Sequence, residues 1–374
     1  MREGRYDAVI IGAGMGGMCA AARLTAAGRR VLVAERTPYL GGRCSHRVRD
    51  DVIVTTGAIM IPIAKVSAIR EAFDALDVPM DMIELTGRML YRLPHGDYDQ
   101  AKEGGGLRGL IAFALEGDSA AADALFGHFI AALEDIPAEG PTFRDWLQKH
   151  TDNDNVIRLF QGFCAALMGT NLHEIPAGEF FRFLKYSSRG SRFGMAPRGN
   201  GELMAALAEA IEARGGTIRT QTRCQRILSD DTRVTGVELT SREHGDETVE
   251  CDFVLSNTGP DRTVELVGGR DKFDADYLKL LDKAPIEAPI FHISFITDEP
   301  LIEGFDGCLV FGNNENLIYL EIPSLISPDI SPPGKYLHRA FGAPTDEATA
   351  DLALQLENTL AELHENFPGK LESA

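Results

Sequence analysis

No stretch of this 374-residue chain carries the run of about eighteen apolar residues that a membrane-spanning helix needs. The N-terminus lacks an apolar core followed by a small-residue cleavage site, so no signal peptide is read there. Positive charge is scarce: 37 Lys and Arg stand against 56 Asp and Glu, a net charge of −19. A nucleic-acid binder needs a basic stripe to neutralise phosphates, and this balance argues against one. It argues equally against strong adhesion to anionic lipid. Cysteine is sparse and scattered, at 19, 44, 164, 224, 251 and 308, with no CxxC pair. The expectation is small buried thiols in a reducing cytoplasm, not a disulfide framework. The nine histidines fall at no ligand spacing with the cysteines, and His173-Glu174 has no second histidine to make HExxH, so no metal site is read. Internal repeats, low-complexity tracts and long linkers are missing too.

What is present begins at the eighth residue. Ala8 to Ile11 is a short apolar run, as in a strand buried on both faces of a parallel sheet. Gly12-Ala13-Gly14-Met15-Gly16-Gly17 follows and spells GxGxxG. Gly12 permits a tight turn, Gly14 a close approach of pyrophosphate, and Gly17 close packing of helix on strand. An alanine-rich helix is predicted from Gly17 to Ala27, with Gly28 as its C-terminal stop. Its N-terminus offers free N–H groups and a positive dipole end to phosphate. Arg30 to Ala34 reads as a second strand, closed by Glu35 at the surface of a crevice. Glu35 lies close to the spacing expected of the acid that binds ribose hydroxyls. These features fit NAD and FAD alike. A length of 374 residues exceeds one ordinary core, so two interleaved domains are expected.

The next segment separates the two dinucleotides. "TPYLGGRCS" places Gly41-Gly42-Arg43 shortly after Glu35, and a plain NAD domain has no use for it. Here the sequence resembles the FAD-dependent amine oxidase and phytoene desaturase superfamily, in which GxGxxG, Glu and a GGR loop form one signature. "VIVTTGAIM" (52–60) resembles the next element at the flavin face, with Gly57 and Ala58 as close-approach positions. "APRGNGELMAALAEAIEARGGTIRTQTRCQRI" (196–227) resembles the family's Pro-x-Gly-Gly helix and following strand, and "CDFVLSNTGP" (251–260) the returning strand and exit. The resemblance implies FAD as cofactor. It implies a binding set of Gly12, Gly14, Met15, Gly16, Gly17, Glu35, Arg36, Gly41, Gly42, Arg43, Gly57, Ala58, Cys224, Asn257 and Gly259, with Cys224 on the adenine side.

The implied fold is α/β: a discontinuous Rossmann-like FAD domain over 1–85 and 190–265, with an inserted α+β substrate domain. Residues 86–189 read as its helical cap, with helices over 107–115, 120–136, 142–150 and 156–168. Residues 266–374 read as its sheet plus a last helix marked by Leu352, Leu356, Leu360 and Leu363. The family closes its flavin site with a C-terminal glycine-rich segment and helix, and none is found from Gly268 to Ala374. The expectation is a chain that folds but holds FAD weakly, with a last helix that favours association. The implied activity is oxidation of a largely apolar small molecule such as a polyprenoid. Alternatives are a flavin amine oxidase, or a non-catalytic dinucleotide-binding protein. Peripheral membrane contact and homo-oligomerisation stay open. No catalytic acid or base is assigned; His46, Lys185 and Arg192 are the titratable residues weighed for it.

Overall fold

The computed structural model describes residues 5–57, 59–65, 67–138, 140–187, 192–230, 232–283, 290–344 and 351–372. The chain forms two compact units, each built from two separate segments. The first comprises Met1–Glu84 and Arg192–Ala284, the second Leu85–Ser191 and Pro285–Ala374.

The first unit is built on a six-stranded sheet. Its strand order is Thr217–Arg219, Val31–Ala34, Tyr6–Ile11, Gly245–Ser256, Val234–Ser241, Thr222–Ser229. The first four strands run parallel, and the last two return antiparallel. The two N-terminal strands show no alternation of inside and outside. Ala8, Val9, Ile10, Val31, Leu32 and Val33 are all fully buried, as parallel strands covered on both faces must be. One face packs on helix Met15–Ala26, helix Gly201–Ala213 and helix Ala68–Ala75, through Met18, Phe73, Met204 and Leu207. The other carries Leu32, Val237, Leu239, Cys251 and Leu266. The first helix ends as its sequence predicts. Gly28 takes φ 75°, its N–H bonds the Thr25 carbonyl, and the Arg29 N–H bonds that of Leu24.

The second unit sets helices against a second six-stranded sheet. Four helices lie at Gly106–Ala114, Ser119–Glu134, Phe143–Gln148 and Asp154–Met168, within two residues of each expected boundary. Phe129, Phe143, Phe160, Phe180 and Phe181 are buried and pack ring on ring; Phe143 and Phe180 stack with centroids 3.5 Å apart. These rings pack into a core. Leu110 joins the buried set, while Phe113, Phe126 and Leu133 are half-buried. The sheet carries a dry polar chain. Arg339 Nη1 donates to Glu321 Oε1 at 3.1 Å, the Tyr319 hydroxyl donates to Glu321 Oε2 at 3.0 Å, and Cys308 Sγ lies 2.6 Å from that hydroxyl. Burial pushes the Glu321 carboxyl above and the Arg339 guanidinium below their ordinary ranges.

The last helix, Leu352–Asn366, forms where expected, and of its four marking leucines Leu363 turns inward while the other three stay exposed. Its buried positions are Gln355, Thr359 and Leu363, while Leu352, Leu356 and Leu360 are exposed. Gln355 Nε2 donates to the Ala343 carbonyl at 2.7 Å and Thr359 Oγ1 to the Gln355 carbonyl at 2.8 Å, so the donors of both side chains are satisfied inside, while Gln355 Oε1 is buried without a partner among the described residues. Among the described residues, no helix is long and apolar enough to cross a membrane.

Candidate functional site

A cleft of about 940 Å³ opens in the first unit at the carboxyl ends of the parallel strands. Open α/β sheets place their ligands at this edge. Its wall begins with the glycine turn: Gly12, Gly14, Met15 and Gly16 line it. Gly12 adopts φ 96°, which a side chain would strain. Gly17 does not reach the cleft. A Cβ there would stand 2.1 Å from the Gly12 carbonyl oxygen, so this glycine serves the close packing of turn on helix. The helix that follows has Gly14 as its N-cap, no side-chain cap and no acid in its first turn. Its first N–H groups are therefore left for a ligand anion.

Glu35 lines the cleft, as expected, with most of its surface buried at 8% exposure. Oε2 accepts from the Ala13 N–H at 2.8 Å, and Oε1 from the Thr37 N–H and hydroxyl, each at 2.8 Å. An ionised carboxylate has about four acceptor sites, so capacity remains for a ribose hydroxyl. The same carboxylate ties the glycine turn to the end of the second strand. Backbone bonds from Glu35 N to the Arg219 carbonyl, and from Thr222 N to the Glu35 carbonyl, bring the 217–229 segment alongside.

The second glycine pair folds back on the first. Gly41 N donates to the Ala13 carbonyl at 2.7 Å, and Gly41 bridges Gly14. A Cβ on Gly41 would lie 2.3 Å from the Cys44 carbonyl oxygen, and one on Gly42 3.5 Å from Gly14 Cα. Two glycine-rich turns thus meet where backbone must approach a ligand closely. Gly41, Gly42 and Arg43 line the cleft. Gly57 does not line it but packs against the loop: its Cβ would meet the Arg43 carbonyl oxygen at 2.4 Å. Ala58 lies outside the described residues. Burial, and then the neighbouring Cys19, pushes the Cys44 thiol up to about 12, so it stays protonated.

Arg36, Cys224 and Asn257 complete the predicted part of the lining. Asn257 lays its amide along the helix start, where a Cβ on Gly14 would come within 2.8 Å of Nδ2 and one on Gly16 within 2.9 Å of Oδ1. Gly259 stands outside the lining, as N-cap of helix Pro260–Val267 with φ 94°. Sequence reasoning missed Thr37, Arg223, Thr258 and Arg262, which also line the cleft. Their polarity was visible in the sequence, but their place depends on sheet order.

The residues weighed for acid–base work go elsewhere. Arg192 pairs through both guanidinium arms with Glu84, and Lys185 Nζ donates to the Leu133 carbonyl at 3.1 Å. His46 presses its ring on the turn before helix Gly201–Ala213, where a Cβ on Gly201 would stand 2.7 Å from Nδ1.

The fold and cleft define a discontinuous dinucleotide-binding α/β unit joined to a second α+β unit. The match to the family model "flavin containing amine oxidoreductase" runs over residues 15–347, and the chain belongs to that family. Among relatives, 15-cis-phytoene desaturase of Capsicum annuum is 23% identical over 391 residues, covering 98% of this chain and 66% of its own length. The zeta-carotene-forming phytoene desaturase of Myxococcus xanthus is 26% identical over 288 residues, covering 67% and 52%. The chain thus spans less than two thirds of the length of these relatives. A crystal structure of an oxidoreductase from Methanosarcina mazei superposes with a TM-score of 0.85 at 24% identity, covering 97% of this chain and 85% of that one. Wild-type putrescine oxidase superposes at 0.72 with 14% identity, covering 99% and 83%. These two establish the shared fold.

Family membership assigns FAD as the cofactor, and the cleft fits it. The uncapped helix start, the two glycine-rich turns and the spare acceptor capacity of Glu35 match a pyrophosphate joined to a ribose.

Proposed function

We propose that this chain is an FAD-dependent oxidoreductase that desaturates a largely apolar small molecule such as a polyprenoid. The carrying observation is the joined pair of glycine turns beside Glu35, in a chain of the flavin-containing family. In this reading the first unit, Met1–Glu84 and Arg192–Ala284, holds the cofactor, and the second, Leu85–Ser191 and Pro285–Ala374, is the substrate domain, so the boundary expected at 265/266 falls instead at 284/285. Glu35 accepts from the ribose hydroxyls. The N–H groups at Gly14, Met15 and Gly16 and the Asn257 amide face the pyrophosphate, and Arg43 faces the anion from the second loop. The Cys224 strand takes the adenine side. When bound, the flavin supplies the hydride-accepting centre, and the protein contributes position, dryness and fixed charge.

The substrate class is supported by the names of the relatives, which are phytoene desaturases and prolycopene isomerases. The aromatic residues of the second unit give no separate support, because they pack on one another. The test is anaerobic reduction of the FAD-loaded chain by phytoene in detergent or liposomes, set against putrescine as an amine. Bleaching of the flavin by phytoene alone is expected. Bleaching by the amine alone would transfer the chain to the amine oxidases, and FAD binding with no reduction by any donor would favour a non-catalytic role.

A further inference from the structure

The cleft has a polarity along its length. A nucleotide runs base, ribose, pyrophosphate. The glycine turns take the pyrophosphate end and Glu35 the ribose, so the base belongs beyond Glu35. That end is walled by Thr222, Arg223 and Cys224 and by Arg262 and Leu266 of helix Pro260–Val267. Leu266 is buried in the same core as Cys224, and Arg262 stands one helical turn earlier on that face. The influence of the Arg262 charge reaches the Cys224 thiol. Its Nη1 donates to Glu265 Oε2 at 2.6 Å, and this is its one hydrogen bond among the described residues. A guanidinium has five N–H donors, so four remain for a ligand. Adenine offers both a π-face and ring-nitrogen acceptors at its edge, and a planar guanidinium suits either.

We infer that Arg262 is a positioning residue for the adenine base, tethered by Glu265, and that it sets a preference for adenine over pyrimidine nucleotides. The inference rests on the reading of the cleft as the FAD site. Arg262→Ala should leave the fold intact, because the side chain is 45% exposed and paired only at the surface.

Calorimetric titration of the flavin-free full chain with ADP, UDP and FAD tests it. The wild type should prefer ADP to UDP. Arg262→Ala should lose about five- to tenfold in affinity for ADP and FAD with little change for UDP. Arg262→Lys should restore little of the loss, since it keeps the charge and not the plane. Glu265→Ala, which removes only the tether, should lose about two- to threefold for ADP and serves if Arg262→Ala melts early. Equal losses for ADP and UDP, restored by lysine, would mean that Arg262 reads the diphosphate charge and would overturn the inference. So would unchanged ADP affinity in a folded Arg262→Ala. A wild type that binds neither ADP nor FAD would overturn the reading of the cleft itself.

Discussion

His338 is a buried imidazole whose two nitrogens are already committed. Nε2 accepts from the Leu301 N–H at 3.1 Å, so Nδ1 carries the proton and donates to the Tyr336 carbonyl at 2.9 Å. A second proton would have to sit on Nε2, against the Leu301 N–H. Burial drives the group from 6.5 to about 4. The unfolded chain takes up that proton first, so between about pH 6.5 and 4 the unfolded state binds more protons and stability falls as pH falls. At about 1.36 kcal/mol per unit the loss approaches about 3 kcal/mol by pH 4. Denaturant midpoints at about pH 7, 6 and 5 should decline in the wild type and decline less in His338→Gln; equal slopes would remove His338 from the account. Glu35 makes a second residue-scale case. Its carboxylate holds the Ala13 and Thr37 N–H groups, so Glu35→Ala strips partners from buried donors as well as from the ribose. Leaving such a donor unpaired costs about 1–3 kcal/mol. The variant should lose stability by that order and bind FAD at least tenfold more weakly. A loss of FAD affinity with an unchanged unfolding midpoint would show that the carboxylate serves the ligand alone.

The turn between the first strand and helix shows how unequal two glycines of one element can be. A Cβ on Gly17 would stand 2.1 Å from a backbone oxygen, whereas one on Gly28 meets nothing within 4 Å. Gly17→Ala must therefore push helix from strand, at a cost of about 3 kcal/mol or more. Gly28→Ala faces only the left-handed backbone at φ 75°, about 1 kcal/mol. Chemical denaturation of the two variants should separate them in that order, and similar losses would mean that the turn relaxes freely. The difference also explains what could be read from sequence. Gly12, Gly14 and Gly17 were legible because strand, turn and helix are contiguous and the chemistry fixes their spacing. Arg262 was not, because only the register of Gly245–Ser256 beside Tyr6–Ile11 brings its helix to the cleft. Asn257 came from resemblance, and its lie across Gly14 needed the same register. The last helix was legible as a helix, but the inward turn of Gln355 and Thr359 was not. Leu352, Leu356 and Leu360 repeat every four residues whichever side is buried, and the partners that let Gln355 and Thr359 turn inward are invisible in periodicity.

Across the whole molecule the charge is lopsided. A net −19 on 374 residues works against the compact state through self-repulsion. Yet the cleft gathers Arg36, Arg43, Arg223 and Arg262 against the single carboxylate of Glu35. Salt acts on both features and on the surface ion pairs, and the sign of the net effect decides which dominates. The pairs Arg23–Glu71, Arg108–Asp123 and Lys279–Asp276 are well exposed. Such pairs contribute about 0–1 kcal/mol each and lose part of that when screened. Repulsion among nineteen uncompensated charges reaches over the whole surface. It is largely removed once the Debye length shrinks from about 30 Å at 0.01 M to about 8 Å at 0.15 M. Repulsion should win. The flavin-free chain at about pH 8, where His338 is neutral in both states, should gain about 1 kcal/mol over that range, a rise in melting temperature of about 2 °C. Sodium chloride and sodium sulfate at equal ionic strength distinguish the two ways of gaining it. Equal rises report general screening. A larger rise with sulfate that vanishes when Arg43 and Arg262 are charge-reversed to glutamate reports anion binding at the cleft arginines, whereas an excess that persists reports the general exclusion of sulfate from the protein surface. A melting temperature that falls with added sodium chloride would mean that the surface pairs outweigh the net charge.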